Sequence, residues 1–146
     1  MKILHVITDL KEGGAQKLLF KLISNKNPDY KHTIVSLISV GHYEEKLKAL
    51  NVNYHYLNMN NKRINFFKVI KLFFILLNEK PDVVQTWMYH CDLIGGVLSK
   101  LLGIKNILWG VVSFNLDSNV MKFTSRIIIK VNSILSYFIP NKIIYC

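Results

Sequence analysis

An α/β architecture built on one parallel sheet follows from three features of this 146-residue sequence. Short, nearly continuous apolar runs recur along the chain, as expected of strands buried on both faces. Longer segments whose apolar residues repeat at helical spacing separate them, and such alternation implies right-handed βαβ crossovers. Hydrophobic residues make up 51 % of the chain, enough to fill a core between helices and sheet. Six strands arranged this way predict a Rossmann-like, doubly wound sheet in the order 3-2-1-4-5-6.

The elements read in sequence as follows. Ile3–Ile7 is a short apolar run and the first strand. Ala15–Lys26 is a helix with Leu18, Leu19, Leu22 and Ile23 on one face and Lys17 and Lys21 on another. His32–Ile38 is the second strand, Tyr43–Leu50 a short helix, and Val52–Leu57 the third strand. Ile64–Glu79 is a long apolar helix, and Pro81–Trp87 the fourth strand. His90–Leu102 is a helix, with Gly103 suited to its C-terminal cap. Gly95 and Gly96 inside it cost stability relative to alanine, so they mark close packing on the sheet. Lys105–Val111 is the fifth strand, Met121–Ile139 a helix that Pro140 ends, and Lys142–Cys146 the sixth strand. A chain that stops on a strand suggests a fragment or one half of a two-domain protein. No internal repeat or low-complexity linker interrupts the pattern.

Nineteen Lys and Arg against nine Asp and Glu give a net charge of +10. That charge favours anionic partners: nucleic acid, an anionic membrane surface or phosphorylated substrates. No nucleic-acid motif or basic recognition helix supports the first, so nucleic acid is not expected as a partner. The two cysteines, Cys91 and Cys146, form no CxxC pair, which fits a reducing compartment. The N-terminus has no signal-peptide pattern, because Asp9 follows its short apolar run at once. No run is long enough to span a bilayer. The expected location is cytoplasmic, with peripheral contact at the inner face of the membrane.

In a doubly wound sheet ligands sit at the carboxyl ends of the strands, near the switch between strands 1 and 4. Three segments fall there: TDLKEGGAQ, TWMYHCD and GVVSFNLD. Gly13 and Gly14 have two readings. They turn the chain tightly, or they let an anion approach the unpaired N–H groups of a helix start. The loop is neither G-x-G-x-x-G nor a Walker A sequence, so a nicotinamide-binding oxidoreductase is disfavoured. Trp87, Tyr89, His90 and Asp92 cluster after strand 4. Trp87 reads either as core or as substrate contact, and Asp92 either as a helix cap or as a site carboxylate. His90 has no evident packing role and is the stronger functional candidate. Ser113, Asn115 and Asp117 follow strand 5. With no G-x-S-x-G elbow near Ser113, a serine hydrolase has little support.

Together MKILHVITDLKEGGAQKLLFKLI, KPDVVQTWMYHCDLIGGVLSKLLGIKNILWGV and KIIYC resemble the N-terminal half of glycosyltransferase family 4 across the whole chain. The resemblance implies the GT-B fold, two Rossmann-like domains facing across a cleft. It implies an acceptor-side domain here and a donor-binding domain that this chain lacks. It implies retaining transfer from a nucleotide-sugar to a lipid-linked or glycan acceptor, without a metal ion or other cofactor. Bacterial relatives build lipopolysaccharide, capsule and other cell-surface glycans. Carried over residue by residue, Gly13, Gly14 and Gln16 match the family's glycine loop near the donor diphosphate and the reacting sugar. His90 and Asp92 match its H-x-D on the acceptor side. Where relatives often read W-G-I-R-H-S, this chain has Trp109-Gly110-Val111-Val112-Ser113-Phe114, so Ser113 stands where a sugar-contacting His is common.

Two basic, greasy segments remain. Lys62, Arg63, Lys68 and Lys71 precede the apolar run Leu72–Leu77, and Lys122, Arg126 and Lys130 form a stripe at i, i+4 spacing. They read as helices covering the sheet, as a membrane-touching face, or as surface that a second domain covers. The alternative function is accordingly a non-catalytic remnant or membrane-surface binding module.

Overall fold

The computed structural model describes residues 1–25, 27–38, 41–59, 65–111 and 123–145, the side chain of His42 excepted. Strands β1 (Lys2–Ile7), β2 (Lys31–Ser36), β3 (Asn53–Tyr56), β4 (Val83–Trp87), β5 (Asn106–Val111) and β6 (Lys142–Tyr145) form one sheet. Their order is β3-β2-β1-β4-β5-β6, and every pairing is parallel. This is the expected Rossmann-like order, with the topological switch where β1 lies between β2 and β4.

Helices α1 (Gly14–Ser24), α2 (Glu44–Ala49), α3 (Phe66–Glu79), α4 (Tyr89–Cys91), α5 (Val97–Leu101) and α6 (Phe123–Leu135) connect the strands. A 3₁₀ turn at Gly41–Tyr43 leads into α2. The expected helix over His90–Leu102 is present but not uniform. A π segment, Asp92–Gly96, runs between α4 and α5. Its glycines meet the sheet: a Cβ on Gly95 would lie 3.1 Å from Thr86 Cγ2, and one on Gly96 only 2.7 Å from Trp109 Nε1. Gly103 takes the left-handed conformation expected of a C-terminal cap (φ 72°). The final helix ends at Leu135 and passes through a turn before Pro140. Four expected element ends, Lys26, Ile64, Met121 and Cys146, lie outside the described residues.

Side chains alternate across the sheet and divide the core in two. Ile7, Ile34 and Trp87 pack with Ala15, Leu19 and Ile23 of α1 and Leu47 of α2. Leu4, Val6, Val35 and Val84 pack on the other face with Leu72, Ile75 and Leu76 of α3. Ile107 and Trp109 pair in register with Val84 and Thr86, so they point to that second face, where Leu135 and Ile139 meet them. Helices α3 and α6 therefore cover the same side of the sheet.

One buried polar group stands out in the strand β1. His5 is fully buried, with Nε2 3.0 Å from Nδ1 of His32, while Trp87 Nε1 donates to its Nδ1 at 3.4 Å. Burial first, and then the neighbouring His32, push the His5 pKa down to about 3. The folded protein thus keeps His5 neutral, while the unfolded chain takes up a proton below about pH 6.5. Stability is full above that pH and falls as the pH drops from 6.5 toward 3. Urea unfolding between pH 7 and pH 5 is expected to show this loss. His5→Gln, which keeps a hydrogen-bonding group, should reduce the slope by up to about 1.4 kcal/mol per pH unit.

Candidate functional site

Parallel strands bring their carboxyl ends to one edge. Ile7 pairs with Trp87, and Trp87 with Gly110, so the segments following β1, β4 and β5 adjoin there. The loop from Thr8 to Gly13 is anchored by Leu10, which is buried and whose carbonyl accepts from the Tyr43 N–H at 3.3 Å. Thr8 Oγ1 lies 3.4 Å from Cys91 Sγ and ties this loop to α4. The Cys91 thiol is buried, which pushes its pKa up and keeps it protonated.

The two glycines have different roles. Gly13 precedes α1 with an extended backbone (φ 178°), and a Cβ there would sit 2.3 Å from Gln16 Oε1. Gln16 is itself buried, and its Nε2 donates to Asp9 Oδ1 at 2.9 Å and to the Asp9 carbonyl at 3.3 Å. Gly13 therefore makes room for this bond network, and the Gln16 amide serves the loop from inside. Gly14 is the first residue of α1, and a Cβ there would meet nothing within 4 Å. Gly13 has no side chain with which to cap the helix start, and the first turn of the helix holds no acidic residue. The positive end of the helix dipole lies at this start, and the space that a Gly14 side chain would fill is open. The loop carboxylate of Asp9 is turned to Gln16 and to the Lys11 N–H.

At the end of β4 the chain turns through Met88, a non-glycine residue in a left-handed, sparsely populated conformation (φ 73°, ψ 151°). Its N–H donates to the Gly110 carbonyl, and its carbonyl accepts from the N–H groups of Cys91 and Asp92. These bonds hold the strained turn that leads from β4 into Tyr89 and His90 of α4. Nothing in the sequence around Met88 signals this conformation. His90 is half-buried, and burial holds its imidazole below the usual histidine range. It is thus neutral near pH 7, with one nitrogen free to accept a proton. Its ring lies 4.1 Å from the Tyr89 ring, centroid to centroid. Tyr89 in turn holds α6: its hydroxyl donates to Ser125 Oγ at 3.1 Å, and its carbonyl accepts from Asn132 Nδ2 at 2.7 Å.

Two residues expected to touch substrate are placed inside the protein instead. Trp87 is only 2 % exposed and packs among Ile7, Leu19 and Ile34. Strand alternation turns it into the core rather than along the edge. Asp92 is also buried, and its Oδ1 accepts from Thr86 Oγ1 at 2.5 Å. The π segment turns this carboxyl down onto β4. Ser113, with Val112, Asn115 and Asp117, lies outside the described residues. Among the described residues, no group of three His, Cys, Asp or Glu side chains could hold a metal ion, and no helix is long and apolar enough to cross a membrane.

Two surface hollows, of about 410 and 500 Å³, lie at the opposite edge of the sheet. The smaller is lined by Pro81, Asp82, Lys105 and Asn106 at the amino ends of β4 and β5. The larger is lined by Lys31, His32 and Asn53 at the amino ends of β2 and β3. Neither adjoins the switch point, where ligands of such sheets bind.

Solved structures share this arrangement. The crystal structure of Anabaena Alr3699/HepE in complex with UDP superposes with a TM-score of 0.74 at 14 % identity, covering 98 % of this chain and 37 % of that one. The chain has the fold of one half of a GT-B protein. Acinetobacter baumannii MurG matches with a TM-score of 0.59 at 15 % identity, over 99 % of this chain and 41 % of its own. UDP-GlcNAc 2-epimerase from Neisseria meningitidis, bound to UDP-GlcNAc, matches with a TM-score of 0.54 at 20 % identity, over 99 % and 46 %. The chain thus spans less than half the length of each of these proteins. No family model matches the sequence, and no curated protein does either.

Burial raises the Asp92 pKa to about 7, while the hydrogen bond from Thr86 works against that rise. A carboxyl with a raised folded pKa costs stability as pH climbs from its unfolded value near 4 to 7, the reverse of His5. Asp92→Asn keeps an acceptor for Thr86. It is expected to stabilise the protein by up to about 4 kcal/mol at pH 8 and by nearly nothing at pH 4, read by urea unfolding at both.

Proposed function

We propose that this chain is the acceptor-side domain of a retaining glycosyltransferase of the family 4 type. Its reaction moves a sugar from a nucleotide-sugar donor to a lipid-linked or glycan acceptor in cell-surface polysaccharide synthesis. The observation that carries this reading is the glycine start of α1, where Gly13 offers no capping side chain and the space beside Gly14 is open, at the same sheet edge as the end of β4 that leads into His90. Helix N–H groups of this kind stabilise the negative charge of a diphosphate leaving group. The open space beside Gly14 admits such a group close to the backbone. On this proposal His90, neutral and half-buried, hydrogen-bonds an acceptor hydroxyl or takes its proton as the oxygen attacks the anomeric carbon. The UDP in the HepE structure and the UDP-GlcNAc in the epimerase structure support a nucleotide-sugar as donor.

On this reading, Gly13 and Gln16 shape the loop, Gly14 and His90 face the ligands, and Asp92 and Trp87 support them from beneath. Tyr89 links the site to α6, and Ser113 is assigned to the sugar-facing side only by its place after β5. A second, donor-binding domain supplies most of the contacts to the nucleotide.

The test is a product assay on a protein carrying both halves. His90→Ala is expected to lower kcat by about a hundredfold or more with the melting temperature unchanged. Gly14→Val fills space that is open in the folded chain, so it should block transfer without unfolding the domain. Normal transfer by both variants would remove the assignment.

A further inference from the structure

The larger hollow at the amino edge of the sheet, about 500 Å³, falls in the range of about 300–1,000 Å³ in which proteins hold small molecules. Its polar lining is Asn27, Tyr30, Lys31, His32, Asn51 and Asn53, gathered from the chain entering β2 and from the turn between α2 and β3. Among the described residues, the Asn51 and Asn53 amides, the Tyr30 hydroxyl and the Lys31 ammonium make no hydrogen bond or ion pair within the chain. These groups converge on one space with their bonding capacity unspent.

The histidine among them has its proton fixed from inside the protein. The Trp87 indole can only donate, and its Nε1 donates to Nδ1 of the buried His5. Nδ1 of neutral His5 therefore carries no hydrogen, and the one proton of the ring is on Nε2. That nitrogen lies 3.0 Å from Nδ1 of His32 and donates to it. His32 then carries its own proton on Nε2, the nitrogen away from His5. Burial holds the His32 imidazole below the usual histidine range, so the ring stays neutral near pH 7. His32 thus offers the hollow an uncharged N–H donor, and the Tyr30 ring stands edge-on beside it, 6.5 Å between centroids.

This lining suits a neutral ligand. Among the described residues it holds one cation, Lys31, and no acid. Ile23, in the last turn of α1, also lines the hollow, so the negative end of that helix dipole lies there and disfavours an anion. Each of the three side-chain amides carries both donors and an acceptor, and every hydroxyl of a sugar likewise donates and accepts. A phosphate would use the donors and leave the amide oxygens facing charge of their own sign. The partly exposed Tyr30 ring gives an apolar surface for the C–H face of a pyranose, with its hydroxyl as a further polar contact.

We infer that this hollow is a binding site for a neutral oligosaccharide, which rests on the Tyr30 ring and hydrogen-bonds the His32 Nε2–H and the amides of Asn27, Asn51 and Asn53. The 6 residues of β2 separate it from the carboxyl edge by about 20 Å, at about 3.3 Å per residue. A sugar bound here is held and undergoes no chemistry. The inference does not depend on the glycosyltransferase reading, since it uses neither Gly14 nor His90.

The test is amide NMR of the 146-residue chain titrated separately with maltotriose, cellotriose and the trimer of β-1,4-linked N-acetylglucosamine. At least one is expected to bind with a Kd on the order of 1 mM, shifting the amides of Tyr30, His32, Asn51 and Asn53. The double variant Tyr30→Ala/Asn53→Ala should weaken that binding about tenfold or more, because it removes the ring and one amide. Lys105→Ala, in the hollow at the amino ends of β4 and β5, should change nothing. Both variants alter surface side chains, and their melting temperatures establish that the fold persists. Imidazole nitrogen spectra should show His5 and His32 each protonated at Nε2. No saturable shift with any of the three sugars, binding unaffected by the double variant, or a His32 protonated at Nδ1 instead would overturn the inference. So would inorganic phosphate producing the same shifts at lower concentration, since the hollow would then be an anion site.

Discussion

The approach of the π segment to the sheet is the contact on which the rest of the site depends. A β-carbon at Gly96 would lie 2.7 Å from Trp109 Nε1, and one at Gly95 would press on Thr86 and Val6. No other residue type fits both places without moving the helix away from β1, β4 and β5. Because the helix lies this close, Asp92 reaches Thr86 and is buried, and Cys91 reaches Thr8. Met88 then has to turn sharply between strand and helix, in a conformation that costs on the order of 1–3 kcal/mol. The same turn brings His90 directly after the carboxyl end of β4, where it is half-buried.

That contact also explains the unusual polarity of α6. With the π segment drawn against β5, the groove left for α6 presents a backbone carbonyl at Tyr89 and a hydroxyl from its side chain. Asn132 and Ser125 meet these, so the inward side of α6 is partly polar. The apolar residues of that helix are then left for the outer surface. Sheet packing and the cationic, apolar exterior thus have a common origin in how close the neighbouring helix lies.

Most of the architecture was legible from the sequence, because burial on both faces writes continuous apolar runs into strands such as Ile3–Ile7 and Val83–Trp87. The glycine pair at 95 and 96 announced its close packing, since glycine inside a helix needs a reason. The site was only half legible. Residue type places His90 and Gly14 near the switch point, but it does not say which way Trp87 or Asp92 faces. A tryptophan at a strand's end turns in or out according to register, and a π insertion of one residue rotates the carboxylate beneath the helix. His5 carries no signal of its own, because one histidine inside an apolar run looks like part of the strand. Its partner His32 is 27 residues away and comes beside it only through the pairing of β1 with β2.

The central claim is that ligand chemistry belongs to the carboxyl edge, at the start of α1 and the end of β4. Amide NMR of the 146-residue chain titrated with UDP-GlcNAc tests it most directly. The account predicts weak binding, with shifts centred on the amides of Gly14, Ala15 and Gln16 and on the His90 side chain. Shifts confined to the hollows at the opposite edge, around Pro81 and Asn106 or around His32 and Asn53, would contradict it.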